Sequence, residues 1–108
     1  MQIYPVRSSH RANLAPPALE ELARTHFESA TREGETVVAT YGAISRLAAR
    51  AAGRELSIDV AMNPKVPEEV ARETIRRYNL FLESVTGFSA KERARRLRKS
   101  AGESRSGA

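Results

Sequence analysis

The chain has 108 residues, no cysteine, 41% hydrophobic residues and a formal net charge of +5. This length fits a single domain, and the lack of cysteine excludes disulfides, thiolate metal sites and cysteine nucleophiles. No stretch is apolar enough to span a membrane and no export leader is recognisable, so we expect a cytoplasmic protein without a membrane partner.

The first third of the chain predicts a strand, a helix and a hairpin. Residues 3–7 read as a short strand, which Pro5 restricts to a sheet edge or a bulge. A helix is predicted from about Pro17 to Glu28, because proline is tolerated in the first turn. Glu33-Gly34 lies between β-branched residues and predicts a hairpin turn. The apolar stripe of the helix is formed by Leu19, Leu22, Ala23 and Phe27.

Residues 43–51 admit two interpretations. Their alanine-rich composition, with Gly53 as a left-handed cap, favours a helix. The same residues could instead form a hairpin that turns at Gly53-Arg54 and pairs with the alternating strand 56–62. That register leaves Arg46, Ala48 and Arg50 on an open face with Ser57, Asp59 and Ala61. Its core-facing pairs are Ala51 with Leu56, Ala49 with Ile58, Leu47 with Val60 and Ser45 with Met62.

A long helix is predicted from Pro67 to about Thr86, with Gly87 as its cap. Glu68 and Glu73 can each pair with an arginine one turn later, which supports the helix. The predicted buried stripe consists of Ala71, Ile75, Tyr78, Leu82 and Val85.

A basic third helix is predicted after a short turn. Ser89 and Glu92 have the spacing of a capping box, so this helix begins at Ala90. We expect a single α+β domain over residues 1–101, in which the basic helix spans 89–101, and a disordered tail over 102–108. The stripe expected to dock the helix consists of Ala90, Ala94, Leu97 and Ala101.

The sequence resembles a family of small uncharacterised archaeal proteins. The resemblance is carried by the run 73–99 and by the motifs Tyr4-x-Val6-Arg7, Tyr41-Gly-Ala-Ile44 and Asn63-Pro64. It implies a two-layer α+β sandwich, β-α-β-β-β-β-α-α, with an antiparallel sheet packed on helices, similar to the TATA-binding-protein-like fold with an extra C-terminal helix. It therefore implies a strand at 43–51. The family has no established activity, and its positive surface suggests an anionic partner.

Candidates for catalysis are few. No serine–histidine–aspartate spacing, metalloprotease motif or phosphate-binding loop occurs. His26 borders the apolar stripe of the first helix, where a structural role is expected, and Asp59 is expected to pair with Arg46 or Arg50. We therefore predict a protein that is not an enzyme and uses no cofactor or metal.

The positive charge is concentrated at one end of the chain. Residues 1–87 contain 11 basic and 11 acidic side chains, whereas residues 88–108 contain 7 basic and 2 acidic ones. Arginine outnumbers lysine 15 to 3, which suits phosphate recognition but also fits a compositional bias of the genome. The clustering predicts an anionic partner, which is DNA or RNA bound non-specifically or by its structure, or another anionic molecule.

Three modes of nucleic-acid binding are possible. Phosphates could contact the basic helix and its neighbour, the open sheet face could join in, or residues 86–89 could be the turn of a helix-turn-helix. The alternative is a module that recruits an acidic protein or forms a homodimer, with Tyr78, Phe81 and Phe88 as its contacts and the basic helix only a solvated or docking element. The residues expected to bind an anion are Lys91, Arg93, Arg95, Arg96, Arg98, Lys99, Arg76, Arg77, Arg46 and Arg50.

Overall fold

The structure is a computed structural model that describes residues 2–95 of the chain. Its strands and helices follow the expected order, and a 3-10 helix that the sequence pattern did not indicate precedes the first α-helix. Residues 90–95, called the C-terminal segment below, are helical. The other elements are β1 Gln2–Pro5, the 3-10 helix Ser8–Leu14, α1 Pro16–Phe27, β2 Ala30–Glu33, β3 Thr36–Tyr41, β4 Ile44–Ala52, β5 Glu55–Met62 and α2 Glu68–Thr86.

All five strands form one antiparallel sheet in the order β1-β5-β4-β3-β2. Short turns connect β2, β3, β4 and β5 in succession, and the predicted turns at Gly34 and Gly53 have φ values of +66° and +65°. β1 pairs with the outer side of β5, so it is an edge strand. An edge position suits Pro5, because proline has no backbone N–H to donate to a second neighbouring strand.

β4 shows that the alanine-rich stretch is a strand. It pairs with extended strands on both sides, and its alternate residues Leu47 and Ala49 are buried. Helix propensity differs between ordinary residues by at most about 0.7 kcal/mol per residue, so tertiary pairing readily outweighs it.

The register of β4 and β5 departs from the prediction at one end. The predicted Ser45–Met62 pair is wrong, because a β-bulge between Ile44 and Arg46 brings Ile44 opposite Met62. Ser45 instead donates from its Oγ to the carbonyl of Ala61 at 3.0 Å. The predicted pairs that are confirmed are Ala51 with Leu56, Ala49 with Ile58 and Leu47 with Val60.

α1 and α2 pack against each other and bury one face of the sheet. The rings of Phe27 in α1 and Phe81 in α2 lie 5.0 Å apart at the centre of this core. The predicted stripe of α2 is wrong at Ile75, which is 52% exposed, whereas Thr74 and Phe81 are fully buried. Periodicity predicts that a helix has a buried face, but its neighbours decide which residues at the border of that face are covered.

The turn between β3 and β4 docks on α2. Gly42 has a φ of +51°, and a Cβ at this position would overlap the Oγ1 of Thr74. That hydroxyl accepts a hydrogen bond from the Ala43 amide at 3.0 Å and donates to the Val70 carbonyl at 2.7 Å. The turn therefore needs glycine for its conformation and for its close approach to the helix.

Candidate anion-binding surface

Gly87 shapes the turn between α2 and the C-terminal segment. Its φ is +79°, and its amide donates to the Glu83 carbonyl at 2.8 Å, so α2 ends where the sequence predicts. A Cβ at this position would come within 2.9 Å of the side chains of Arg7 and His10. The left-handed conformation and this close approach both require glycine.

Ser89 and Glu92 form the predicted capping box. The Glu92 amide donates to Ser89 Oγ at 3.3 Å, and the Ser89 amide donates to Glu92 Oε1 at 3.1 Å. The hydrogen bonds from Ser89, and then the charges of Arg7 and Arg95, lower the pKa of the Glu92 carboxyl. The C-terminal segment therefore begins at Ala90, as predicted.

Arg7 joins the N-terminal part of the chain to this turn. Its Nε donates to the Gly87 carbonyl at 2.8 Å, and its Nη2 lies 3.1 Å from Glu92 Oε2. Its guanidinium also lies 4.4 Å from the centre of the Phe88 ring. Sequence reasoning missed this role, because nothing in the local pattern relates two residues that are 85 positions apart.

Arg93 is buried, which corrects the prediction of an exposed cation at this position. The residue is 3% exposed, and its Nη1 donates to the Phe88 carbonyl at 2.6 Å. Its Nη2 donates to Asn79 Oδ1 at 2.9 Å. Burial lowers the pKa of its guanidinium. Arg93 therefore anchors the C-terminal segment to α2.

The outer surface of the C-terminal segment is positively charged. Lys91 and Arg95 are exposed, and neither forms an ion pair with another residue of the range 2–95. Ala90 and Ala94 are exposed as well, so the prediction that they dock the helix is wrong. The buried contact is made by Arg93 instead.

Several predicted positions lie outside the described residues. Three of them are cations of the predicted binding surface, namely Arg96, Arg98 and Lys99. Two others, Leu97 and Ala101, belong to the predicted docking stripe, and the predicted tail over 102–108 also lies outside the described residues.

Arg76 and Arg77 share the carboxylate of Glu73. Arg76 donates to it from Nε and Nη2 at 3.1 and 3.0 Å, and Arg77 donates from Nε at 3.1 Å. These hydrogen bonds, that of Arg76 first, lower the pKa of Glu73 and raise that of Arg76. Both predicted cations are thus partly neutralised within one helical turn, unlike those of the C-terminal segment.

Arg46 and Arg50 are exposed on the open sheet face, as predicted. Arg46 lies 3.8 Å from Glu33 and forms an ion pair with it. Within residues 2–95 Asp59 forms no ion pair, so the predicted bridge from Asp59 to Arg46 or Arg50 is not found. Arg50 is opposite Ser57 in the neighbouring strand. The predicted cations therefore form two groups, one on the open sheet face and one on the helical side.

His26 has the surroundings of a structural residue. Its Nε2 lies 2.9 Å from Ser84 Oγ, and its ring contacts Phe81 edge to face at 6.3 Å. Burial, and then the charge of Arg77, lower the pKa of the imidazole. Over residues 2–95 no group of histidine and acidic side chains is arranged to hold a metal ion, and no helix is long and apolar enough to cross a membrane.

The aromatic residues of the alternative hypothesis lie mainly in the interior. Phe81 is 0% and Phe88 4% exposed, and Tyr78 is partly buried against the core. Phe81 and Phe88 are therefore not available as surface contacts for a protein partner.

Comparisons with other proteins match the chain to domains without an assigned activity. A family model described as "Domain of unknown function (DUF5611)" matches residues 1–99. The chain is also similar to the NMR solution structure of a hypothetical protein, TA0095 from Thermoplasma acidophilum, with 26% identity and a TM-score of 0.67 over 90% of this chain and 97% of that chain. No curated protein matches.

Proposed function

Because the chain belongs to the DUF5611 family, whose function is unknown, we propose a function from its own charged residues. The protein is a non-enzymatic, cytoplasmic protein that binds DNA, RNA or another polyanion without reading its sequence and without a cofactor. The main contacts come from the exposed cations of the C-terminal segment and from the basic residues that follow it. These are Lys91, Arg95, Arg96, Arg98 and Lys99.

The unequal pairing of the cations carries this proposal. Arg24, Arg72 and Arg76 each donate to a glutamate within one helical turn. Lys91 and Arg95 form no such pair within residues 2–95. Unpaired surface cations attract phosphates, and the release of counterions from the nucleic acid then favours binding.

The same surface can extend to neighbouring cations. Arg76 and Arg77 join it when a phosphate competes with Glu73 for their hydrogen bonds. Arg46 and Arg50 supply a second, weaker contact on the open sheet face. We further propose a TATA-binding-protein-like fold with an extra C-terminal helix, because α1 and α2 pack on the same face of the antiparallel sheet within residues 2–95. The Thermoplasma neighbour supports an archaeal source.

Titrations of a short duplex DNA and the matching duplex RNA at rising salt test the proposal. If all five cations contact phosphates, the logarithm of affinity falls with the logarithm of salt with a slope of about −4.5. The double variant Arg95→Glu, Arg96→Glu loses two phosphate contacts, so the slope should become shallower by about 1.8. Its affinity should be about 100-fold lower than that of the wild type at about 50 mM salt.

The matched control is Arg24→Glu combined with Arg72→Glu. It changes the net charge equally, but at arginines that already pair with glutamate. The control is expected to keep the steep slope. The proposal is overturned if the wild type binds neither duplex at about 50 mM salt, or if both double variants lose the same affinity.

A further inference from the structure

We propose that the cleft between β1, α2 and the C-terminal segment binds a small oxyanion, a phosphate or carboxylate group, against the guanidinium of Arg93. This site is distinct from the exposed cations of the proposed function. Arg93 is 3% exposed, so it can meet a group of a few atoms but not the backbone of a duplex.

The first argument is a deficit of negative charge. Arg93 donates to two neutral acceptors, the Phe88 carbonyl and the Asn79 amide oxygen, and no carboxylate of residues 2–95 lies within 4 Å of it. The charge of Glu83 favours the charged form of Arg93 only from beyond ion-pair distance, and the carboxyl end of α2 supplies at most about half a negative charge. A buried guanidinium without a full counter-charge is costly, and a bound anion would remove that cost.

The second argument is the shape and lining of the cleft. A cleft of about 170 Å³ is lined by Arg93, Asn79, Ala94, Tyr4 and Tyr78. The two tyrosines also line a neighbouring cleft of about 360 Å³ that has Asp59 in its wall, so any part of the ligand that extends there is neutral or positively charged. The volume of this second cleft falls within the range of about 300 to 1,000 Å³ that is typical of small-molecule sites.

The third argument is the supply of hydrogen-bond donors. The guanidinium of Arg93 carries five N–H groups, and the hydrogen bonds to Phe88 and Asn79 use two of them. The phenol protons are already committed, because the Tyr4 hydroxyl donates to Gln2 and the Tyr78 hydroxyl is hydrogen-bonded to Tyr4. The remaining N–H groups of the planar guanidinium match the oxygens of a phosphate or a carboxylate.

Asn79→Asp is the decisive variant, because it puts a carboxylate where the amide oxygen already meets Arg93. In two-dimensional amide NMR we expect inorganic phosphate or acetate, compared with chloride at equal ionic strength, to shift the Asn79 and Arg93 signals of the wild type saturably. At ten times the apparent Kd the Tm should rise by about 6 °C. Asn79→Asp should raise the Tm without any anion and abolish both responses.

Asn63→Asp is the matched control, since Asn63 is exposed and its Oδ1 accepts from the Lys65 amide. It should keep the wild-type responses. Phosphate or acetate acting no better than chloride, or acting equally on Asn79→Asp, would sink the proposal. Stronger binding of phosphate would indicate a phosphate ligand, and stronger binding of acetate would indicate a carboxylate ligand.

Discussion

α2 and the C-terminal segment are both helical and rich in arginine, but different forces hold them to the protein. α2 buries apolar side chains such as Phe81 and Val85, and its outer arginines pair with glutamates on the same helix. The C-terminal segment is held by a capping box and by buried Arg93, and its outer cations have no ion pair within residues 2–95. An arginine therefore forms a surface ion pair, anchors a segment or remains available to a ligand according to the groups around it, which for Arg93 include the distant Asn79.

The largest expected effect tests the apolar anchor of α2. Phe81→Ala should lower the free energy of unfolding by about 3–5 kcal/mol, because it opens a cavity against Phe27. Ile75→Ala, on the same helix but 52% exposed, should cost less than about 1 kcal/mol. Denaturant titrations of both variants measure the difference. Equal losses would show that the predicted stripe was right after all.

A smaller effect is expected at the polar anchor of the C-terminal segment. Ser89→Ala removes the acceptor of the Glu92 amide and should destabilise the segment by about 1 kcal/mol. Hydrogen exchange at residues 91–94 should then become about fivefold faster, while exchange in α2 stays unchanged. Ser29→Ala, an exposed change elsewhere, serves as the control. Unchanged exchange in Ser89→Ala would mean that the capping box does not hold the segment.

A pH effect is expected where α1 meets α2. The pKa of His26 is lowered in the folded protein, first by burial and then by Arg77, so the unfolded chain binds the proton more tightly. Stability should be constant above the ordinary pKa of about 6.5 and should fall as the pH drops below it, until the folded-state pKa is passed. Thermal unfolding between about pH 7.5 and 5.5 should show this slope in the wild type. The slope should be reduced in His26→Gln, and equal slopes would contradict the assignment.

The smallest effect on stability is expected when the arginines of α2 lose their glutamate partner and become unpaired, like Lys91 and Arg95 within residues 2–95. Glu73→Gln releases Arg76 and Arg77, and the Tm should hardly change, because exposed ion pairs contribute little. Affinity for duplex DNA at low salt should rise a few-fold. Glu68→Gln, which releases Arg72, is the control and should leave affinity nearly unchanged. No gain in Glu73→Gln would place Arg76 and Arg77 outside the binding surface.

Much of the fold could be predicted because its signals are local. Proline at the start of α1, glycine after α2, and Ser89 with Glu92 act within a few residues, and the structure confirms each of them. The alternation along β5 predicted only part of the face that it buries. Leu56 and Ile58 are buried as expected, but Ser57, predicted on the open face, is 4% exposed and Met62, predicted in the core, is 41% exposed.

Interactions between distant residues could not be predicted in this way. Whether 43–51 is helix or strand depended on its sheet neighbours, and the bulge at Ser45 depended on how β4 meets β5. The role of Arg7 depended on a turn at the other end of the chain. Each outcome is set by packing partners that periodicity and propensity do not identify.

The residues alone therefore determined the α+β class and most element boundaries, because composition, spacing and capping are properties of short segments, and that the partner is anionic stays a prediction. Only the tertiary structure decided which cations remain accessible. Arg93, which looks like its neighbours in the sequence, is buried beneath the turn that follows α2, whereas Lys91 and Arg95 remain exposed. The physical reason is that burial, and with it the energetic role of a charge, depends on every element that packs around it.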